Sequence, residues 1–349
     1  MARRWTAGLK NVLVVIVSLS CVAVTLEVAT RVYSRFFFPR MMEMDDQLGW
    51  SHARNRQKTF VNEAGETILV RQNSLGLRGP EYDLSGSSNS TRVVVLGDSF
   101  TEAVQVSEGD SFSGRLQVLR PELQVLNAGV GGYSNVQEYV YLGLYGELLD
   151  PDIVLVAVYD NDLVDNCLSY YPSFGPRPYA VASTSGIEIV EELRTDDFGR
   201  FVLRLPFWNQ LNQHSYFYSF LNSRVYQQFR AEEMRALNQA ELRRIEACGQ
   251  FEVMAGVLNL LDRRTRGLGA ALRAVYIPSA RDASAGLSEA SDRFMAICAR
   301  EGFRCLSLLE ELHAAINGGT QVYFERDIHW TAAGHAVAAV AIADFLTAD

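Results

Sequence analysis

Five short apolar-centred runs, each closed by turn-forming residues, give the chain its architectural pattern. They lie at 92–96, 123–126, 153–158, 273–277 and 303–307. Runs such as Val93-Val94-Val95-Leu96 and Ile153 to Val158 show no apolar/polar alternation, which marks strands covered on both faces. Between and after them, residues 108–119, 134–148, 288–300 and 331–346 carry helical spacing of apolar positions. Strand alternating with helix predicts an α/β fold: a three-layer sandwich with a mostly parallel central sheet and helices on both faces. No internal repeat interrupts this pattern.

Two other patterns flank the core. Residues 11–26 contain no charge, with Lys10 before them and Glu27 after. The run is slightly short of the roughly 20 apolar residues that span a bilayer. It extends through Val28 to Tyr33, and Tyr33 with Phe36-Phe37-Phe38 resembles an interfacial aromatic belt. Residues 1–40 are read as an uncleaved signal anchor, with a cleaved signal peptide and a lipid-modified Cys21 as alternatives. Keeping the short basic tail inside leaves the rest of the chain extracytoplasmic, in the periplasm or at the cell surface. Residues 41–91 form a pre-domain segment of short strands and turns that ends in a polar linker, Leu84 to Thr91. Residues 92–349 form the main domain. Within it, 166–250 is an aromatic-rich insertion that includes Tyr170, Tyr171, Phe174, Tyr179, Phe198, Phe201, Phe207, Trp208, Phe220 and Tyr226. At such a position a long insertion forms either a lid or a small helical subdomain with its own core. Residues 228–265 have helical propensity, and Met234, Leu237, Leu242 and Ile245 suggest an apolar face.

Composition narrows the class. A net charge of −9 and the absence of a basic patch argue against a nucleic-acid partner. Apart from Cys21 there are Cys167, Cys248, Cys298 and Cys305, an even set that allows three pairings and suits an exported domain. The pair 298/305 brackets a helix end and a strand start. Asp162 and Asp165 have no further acidic or histidine cluster around them, so no metal and no cofactor is expected.

Four short stretches carry chemistry. Gly97-Asp98-Ser99-Phe100 follows a buried strand, so Ser99 is presented at the carboxyl end of a sheet, where ligands bind in open α/β folds. Asn127-Ala128-Gly129 and Asn161-Asp162 follow two further strands. Asp327-Ile328-His329 precedes the last helix, for which Thr331 is the N-cap. A serine hydroxyl needs a base within about 3 Å to act as a nucleophile. Of the five histidines, His329 is the best base, because Asp327 lies beside it in a loop. His313 and Glu311 sit in a helical pattern where residues two apart do not face each other.

In this order, the four stretches resemble the SGNH hydrolases, also called GDSL-type esterases and lipases. The resemblance covers 92–349 and implies the flavodoxin-like sheet of that family. It also implies Ser99 as nucleophile, His329 as base and Asp327 as the acid that orients it. The oxyanion donors it implies are the backbone N–H of Ser99, the backbone N–H of Gly129 and the side-chain amide of Asn161. Asn73 to Gly79 looks like a lead-in found before the core in membrane-anchored bacterial relatives. Two positions depart from the family pattern. Tyr159 replaces the usual glycine two residues before Asn161 and is expected to narrow the pocket mouth. The residue three before His329 is Arg326, so the acid falls at Asp327, two before. Asp-x-His-Trp is similar to a form found in alginate-type O-acetyltransferases, although those place Asp-His before the serine. The expected function is therefore a membrane-tethered serine esterase acting on a carboxylic ester, most simply an acetyl ester of a cell-surface glycan. A polysaccharide O-acyltransferase with the same acyl-enzyme and a non-catalytic surface-binding protein are the alternatives.

Overall fold

A computed structural model of the chain describes residues 2–37, 41–85, 90–171, 174–184, 186–193, 215–218, 239 and 241–347. Two compact units are distinguished: Met1–Arg40 with Asp196–Leu237, and Met41–Thr195 with Asn238–Asp349.

In the first unit, residues Ala2–Phe37 form one helix. Its segment Lys10–Tyr33 is 24 residues long and apolar, and its most apolar stretch is not buried. At 1.5 Å per residue this is about 36 Å of helix, enough to cross a hydrocarbon core of about 30 Å. Near its end, Glu27 accepts hydrogen bonds from Ser215 Oγ (2.7 Å) and from the backbone N–H groups of Tyr216 (3.0 Å) and Phe217 (3.1 Å).

The second unit is built on a five-stranded parallel sheet: β1 (Thr91–Gly97), β2 (Leu123–Asn127), β3 (Ile153–Tyr159), β4 (Ala271–Ile277) and β5 (Arg304–Ser307). Their spatial order is β5-β4-β3-β1-β2. This is the flavodoxin-like 2-1-3-4-5 order, whose topological switch point lies between β1 and β3. All four pairings are parallel, with Val93 opposite both Val125 and Ile153.

Strand periodicity sorts the core into two layers. Even-numbered positions, such as Val94, Leu96, Val154, Val156, Val158 and Tyr276, pack in one cluster. That cluster is covered by α2 (Asn135–Leu149), α3 (Gln250–Gly267) and α4 (Glu289–Glu301). Odd-numbered positions, such as Val93, Val95, Leu155, Ala157 and Val275, pack in the other. There the cover is α1 (Phe112–Leu119), α5 (Leu309–Asn317) and α6 (Ala332–Thr347). The three-layer sandwich expected from the apolar pattern is the observed one.

Residues 41–85 belong to the same unit. Their hairpins, Met42–Asp45 with Gly49–His52 and Arg56–Val61 with Thr67–Gln72, are antiparallel. Arg78 N–H donates to Asn127 O at 3.1 Å, Trp50 Nε1 donates to Gly131 O at 3.0 Å, and Gln137 Nε2 donates to Leu48 O at 2.8 Å. The segment is stitched onto the loop after β2.

The described part of the insertion contains two small hairpins, 170–171 with 175–176 and 179–183 with 186–190. Tyr170 and Tyr179 are buried, and Phe174 stacks on Trp50 at 4.9 Å. Residues 241–247 are helical, but Leu242 is exposed, so it does not lie on an inward apolar face. Phe198, Phe201, Phe207, Trp208, Phe220, Tyr226, Met234 and Leu237 lie outside the described residues. Of the three possible cysteine pairings, the protein has Cys167–Cys248 and Cys298–Cys305.

Candidate active site

The serine turn is shaped by the end of β1. Gly97 is needed there because a Cβ would lie 2.1 Å from Thr101 Oγ1. Asp98 then caps a single helical turn, Ser99–Glu102, by accepting the Phe100 N–H at 2.9 Å. Ser99 sits half-buried at the carboxyl end of β1, next to the switch point.

The base arrives from the other end of the chain. Residues 322–331 form a closed loop, held by Phe324 N–H to His329 O (3.0 Å) and Thr331 N–H to Val322 O (2.9 Å). Trp330 is fully buried against Phe100 and Phe112, which anchors the loop to the core beside the serine turn. His329 Nε2 thereby lies 2.7 Å from Ser99 Oγ. Its Nδ1 is hydrogen-bonded to Asp327 Oδ1, which also accepts the His329 backbone N–H at 3.0 Å. The hydrogen-bonded chain Ser99–His329–Asp327 is continuous, and its Ser99–His329 link spans 230 residues of sequence.

Burial works to raise the Asp327 carboxyl, but hydrogen bonds from His329 and its electrostatic attraction outweigh it and hold the group below its ordinary value. The side chain stays about one-third exposed. His335, the other histidine near the C-terminus, has a different role. It is buried, its Nδ1 accepts the Phe112 N–H at 3.2 Å, and burial with nearby Arg78 pushes its pKa down to about 3. It is a neutral acceptor at the start of α1.

No protein-family model matches the chain, and no curated protein matches it. Among solved structures the chain is similar to a member of the lipolytic protein G-D-S-L family from Veillonella parvula, with 11% identity over 73% of this chain and 97% of that one, at a TM-score of 0.42. It is similar to a two-domain esterase active on acetylated mannans, with 13% identity and a TM-score of 0.39, covering 74% of this chain. Here the chain spans about half the length of its relative, 49%. A third likeness, at 10% identity and a TM-score of 0.40, is to a catalytic mutant of an acetylxylan esterase from Geobacillus stearothermophilus, over 75% of this chain and 96% of that one. Superpositions this loose carry no weight for function, which rests on the residues of the site.

The three expected oxyanion donors are placed differently. Ser99 N–H opens the helical turn after Asp98. Gly129 packs so closely on this turn that a Cβ would lie 2.5 Å from Thr101 Cβ, so glycine is required by contact. Its N–H, however, donates to Asn127 Oδ1 at 3.0 Å. Asn161 follows β3, and its Nδ2 donates to Asp165 Oδ2 at 2.8 Å. That bond uses one amide hydrogen and leaves the other.

Tyr159, expected at a pocket mouth, is buried, with its ring 4.4 Å from Phe100. Phe100 in turn lies 4.9 Å from the His329 ring. Phe100 thus stands between Tyr159 and His329. Tyr159 faces the odd-numbered layer, as its place on β3 dictates.

Three contributors carried no sequence signal. Glu63, in the turn of the second hairpin, accepts the N–H groups of Glu325 (3.0 Å), Arg326 (2.9 Å) and Asp327 (2.8 Å) and so holds the acid's loop. Glu102 accepts from Gly131 N–H at 2.9 Å and is joined at 3.0 Å to buried His52. Arg177, from the insertion, is fully buried beside Asp165. Among the described residues, no group of three or more His, Cys, Asp or Glu is arranged to hold a metal ion.

Proposed function

We propose that the chain is a serine esterase of SGNH type. The 2.7 Å contact between Ser99 Oγ and His329 Nε2 carries this reading. Ser99 Oγ attacks the carbonyl carbon of an ester while His329 Nε2 takes its proton. Asp327 stabilises the resulting imidazolium. The tetrahedral oxyanion is met by Ser99 N–H and the second amide hydrogen of Asn161, with Gly129 N–H shared from Asn127. His329 then protonates the departing alkoxide, leaving an acyl-Ser99, and a water activated by His329 releases the acid.

The favoured substrate is an acetyl ester of a cell-surface glycan, and the enzyme is tethered to a membrane by the helix at residues 10–33. The exposed 24-residue apolar helix supports tethering. Two disulfides in the second unit fit an oxidising compartment and therefore an extracytoplasmic catalytic domain. Trp330 of the Asp-x-His-Trp form is a buried core residue, and polysaccharide O-acyl transfer is the second reading.

The test uses the full chain in detergent with a chromogenic acetyl ester, with and without an oligosaccharide acceptor, beside Ser99→Ala. Turnover in water that is lost in Ser99→Ala supports the esterase. Acetylated oligosaccharide would reassign it as a transferase. No turnover, together with no labelling of Ser99 by a serine-directed phosphonate, would leave a binding protein.

A further inference from the structure

The amide of Asn161 is held by a buried ion pair that reaches into the insertion. Asp165 uses its two carboxylate oxygens for different partners. Oδ2 accepts Asn161 Nδ2 at 2.8 Å, and Oδ1 lies 3.0 Å from Arg177 NH2. The guanidinium is fully buried and makes three more bonds, to Leu168 O (3.1 Å), Gly132 O (3.1 Å) and Asp165 O (2.8 Å). It therefore joins the loop after β2, which carries Gly129, to the turn after β3, which carries Asn161.

We infer that Asp165 and Arg177 are positioning residues for the oxyanion donor Asn161, an inference that rests on the esterase reading above. A carboxylate facing an Asn side chain decides which end of the amide it meets. The NH2 end is attracted and the carbonyl end is repelled. With one hydrogen tied to Asp165, the second is aimed in a fixed direction, so the donor is set before substrate arrives. Preorganised donors of this kind stabilise the transition state without reorganising during the reaction. Arg177 holds the carboxylate in place, so that the buried charge is paired and hydrogen-bonded. The insertion thus supplies part of the catalytic framework in addition to any role in covering the site.

The experiment is a double-mutant cycle on the full chain with a chromogenic acetyl ester. Ser99→Ala serves as the control for the esterase reading itself. Asn161→Ala is expected to lower kcat about 100- to 1,000-fold. Asp165→Asn is expected to lower kcat about tenfold with KM changed less than about threefold, because the loss falls on the transition state. In the Asn161→Ala background the same change is expected to alter kcat less than about threefold, since Asp165 acts through Asn161. Asp165→Asn leaves Arg177 without its partner, so the double variant Asp165→Asn/Arg177→Met, which removes both buried charges, is measured beside it. It is expected to melt cooperatively and to keep the low kcat. An equal loss of kcat in both backgrounds, or a folded double variant with wild-type kcat, overturns the inference. If Ser99→Ala retains activity, the esterase reading itself fails, whatever the cycle returns.

Discussion

Asp327→Asn tests the member of the site whose spacing departs from the family pattern. The substitution keeps the shape of the side chain and removes its charge. The charge it removes would otherwise stabilise the imidazolium that forms when His329 takes the serine proton. Two unit charges about 4 Å apart interact by about 1 kcal/mol in water and about 4 kcal/mol at the effective dielectric of a protein surface. Asp327 is 35% exposed and His329 15%, so the pair lies between these limits. A loss of about 2–3 kcal/mol in transition-state stabilisation corresponds to roughly 30- to 150-fold in kcat/KM. That is less than the roughly 10,000-fold seen when a fully buried triad aspartate is changed to asparagine. The assay is steady-state hydrolysis of a chromogenic acetyl ester, with circular dichroism to confirm folding. A kcat/KM within about threefold of wild type would show that Asp327 is not the orienting acid. A loss as deep as that of Ser99→Ala would show that the carboxylate does more than orient and stabilise the imidazole.

Other substitutions probe the framework. Gly129→Ala would place a methyl 2.5 Å from Thr101 Cβ and 2.6 Å from the Glu102 nitrogen. Overpacking should cost about 1–3 kcal/mol in thermal stability. Displacing the serine turn should lower kcat at least about tenfold, and full activity would show that the turn yields freely. Cys167–Cys248 closes a separation of 81 residues and Cys298–Cys305 one of 7. Loop entropy assigns them about 4.5 and about 2.4 kcal/mol. Replacing the first pair by serine should therefore lower Tm more than replacing the second, and the reverse order in calorimetry would refute this. Burial, aided by the charge of Asp98, pushes Glu138 from 4.5 up to about 8, although Asn135 bonds to it. The folded protein then holds a proton that the unfolded chain has lost, so stability falls as pH rises from about 4.5 to about 8. Glu138→Gln should flatten that slope by an amount on the order of several kcal/mol across the window. Denaturant melts of both proteins across this range check it, and an unchanged slope would exclude Glu138 as the source.

The strands and the main helices could be read from the chain because each leaves a local trace, and so could the candidates for the triad proposed above. Val93 to Leu96 and Ile153 to Val158 are covered on both faces, so every position is apolar, and the helices between them carry their own spacing. Ser99 follows a strand, and Asp327 lies two residues from His329, so residue type and order point to the chemistry. Other features leave no local trace. Tyr159 looks like a residue at a pocket mouth until the pleat of β3 turns it toward Phe100. Glu63 meets the Asp327 loop from 264 residues away, and Arg177 folds back from the insertion to meet Asp165 in the turn after β3. Charged residues such as Glu63 and Arg177 read as ordinary solvated side chains in a linear string. Hydrophobic periodicity reports which way a side chain faces its own sheet or helix. It holds no information on which distant backbone donor or buried charge will stand opposite, because that pairing exists only after the layers have packed.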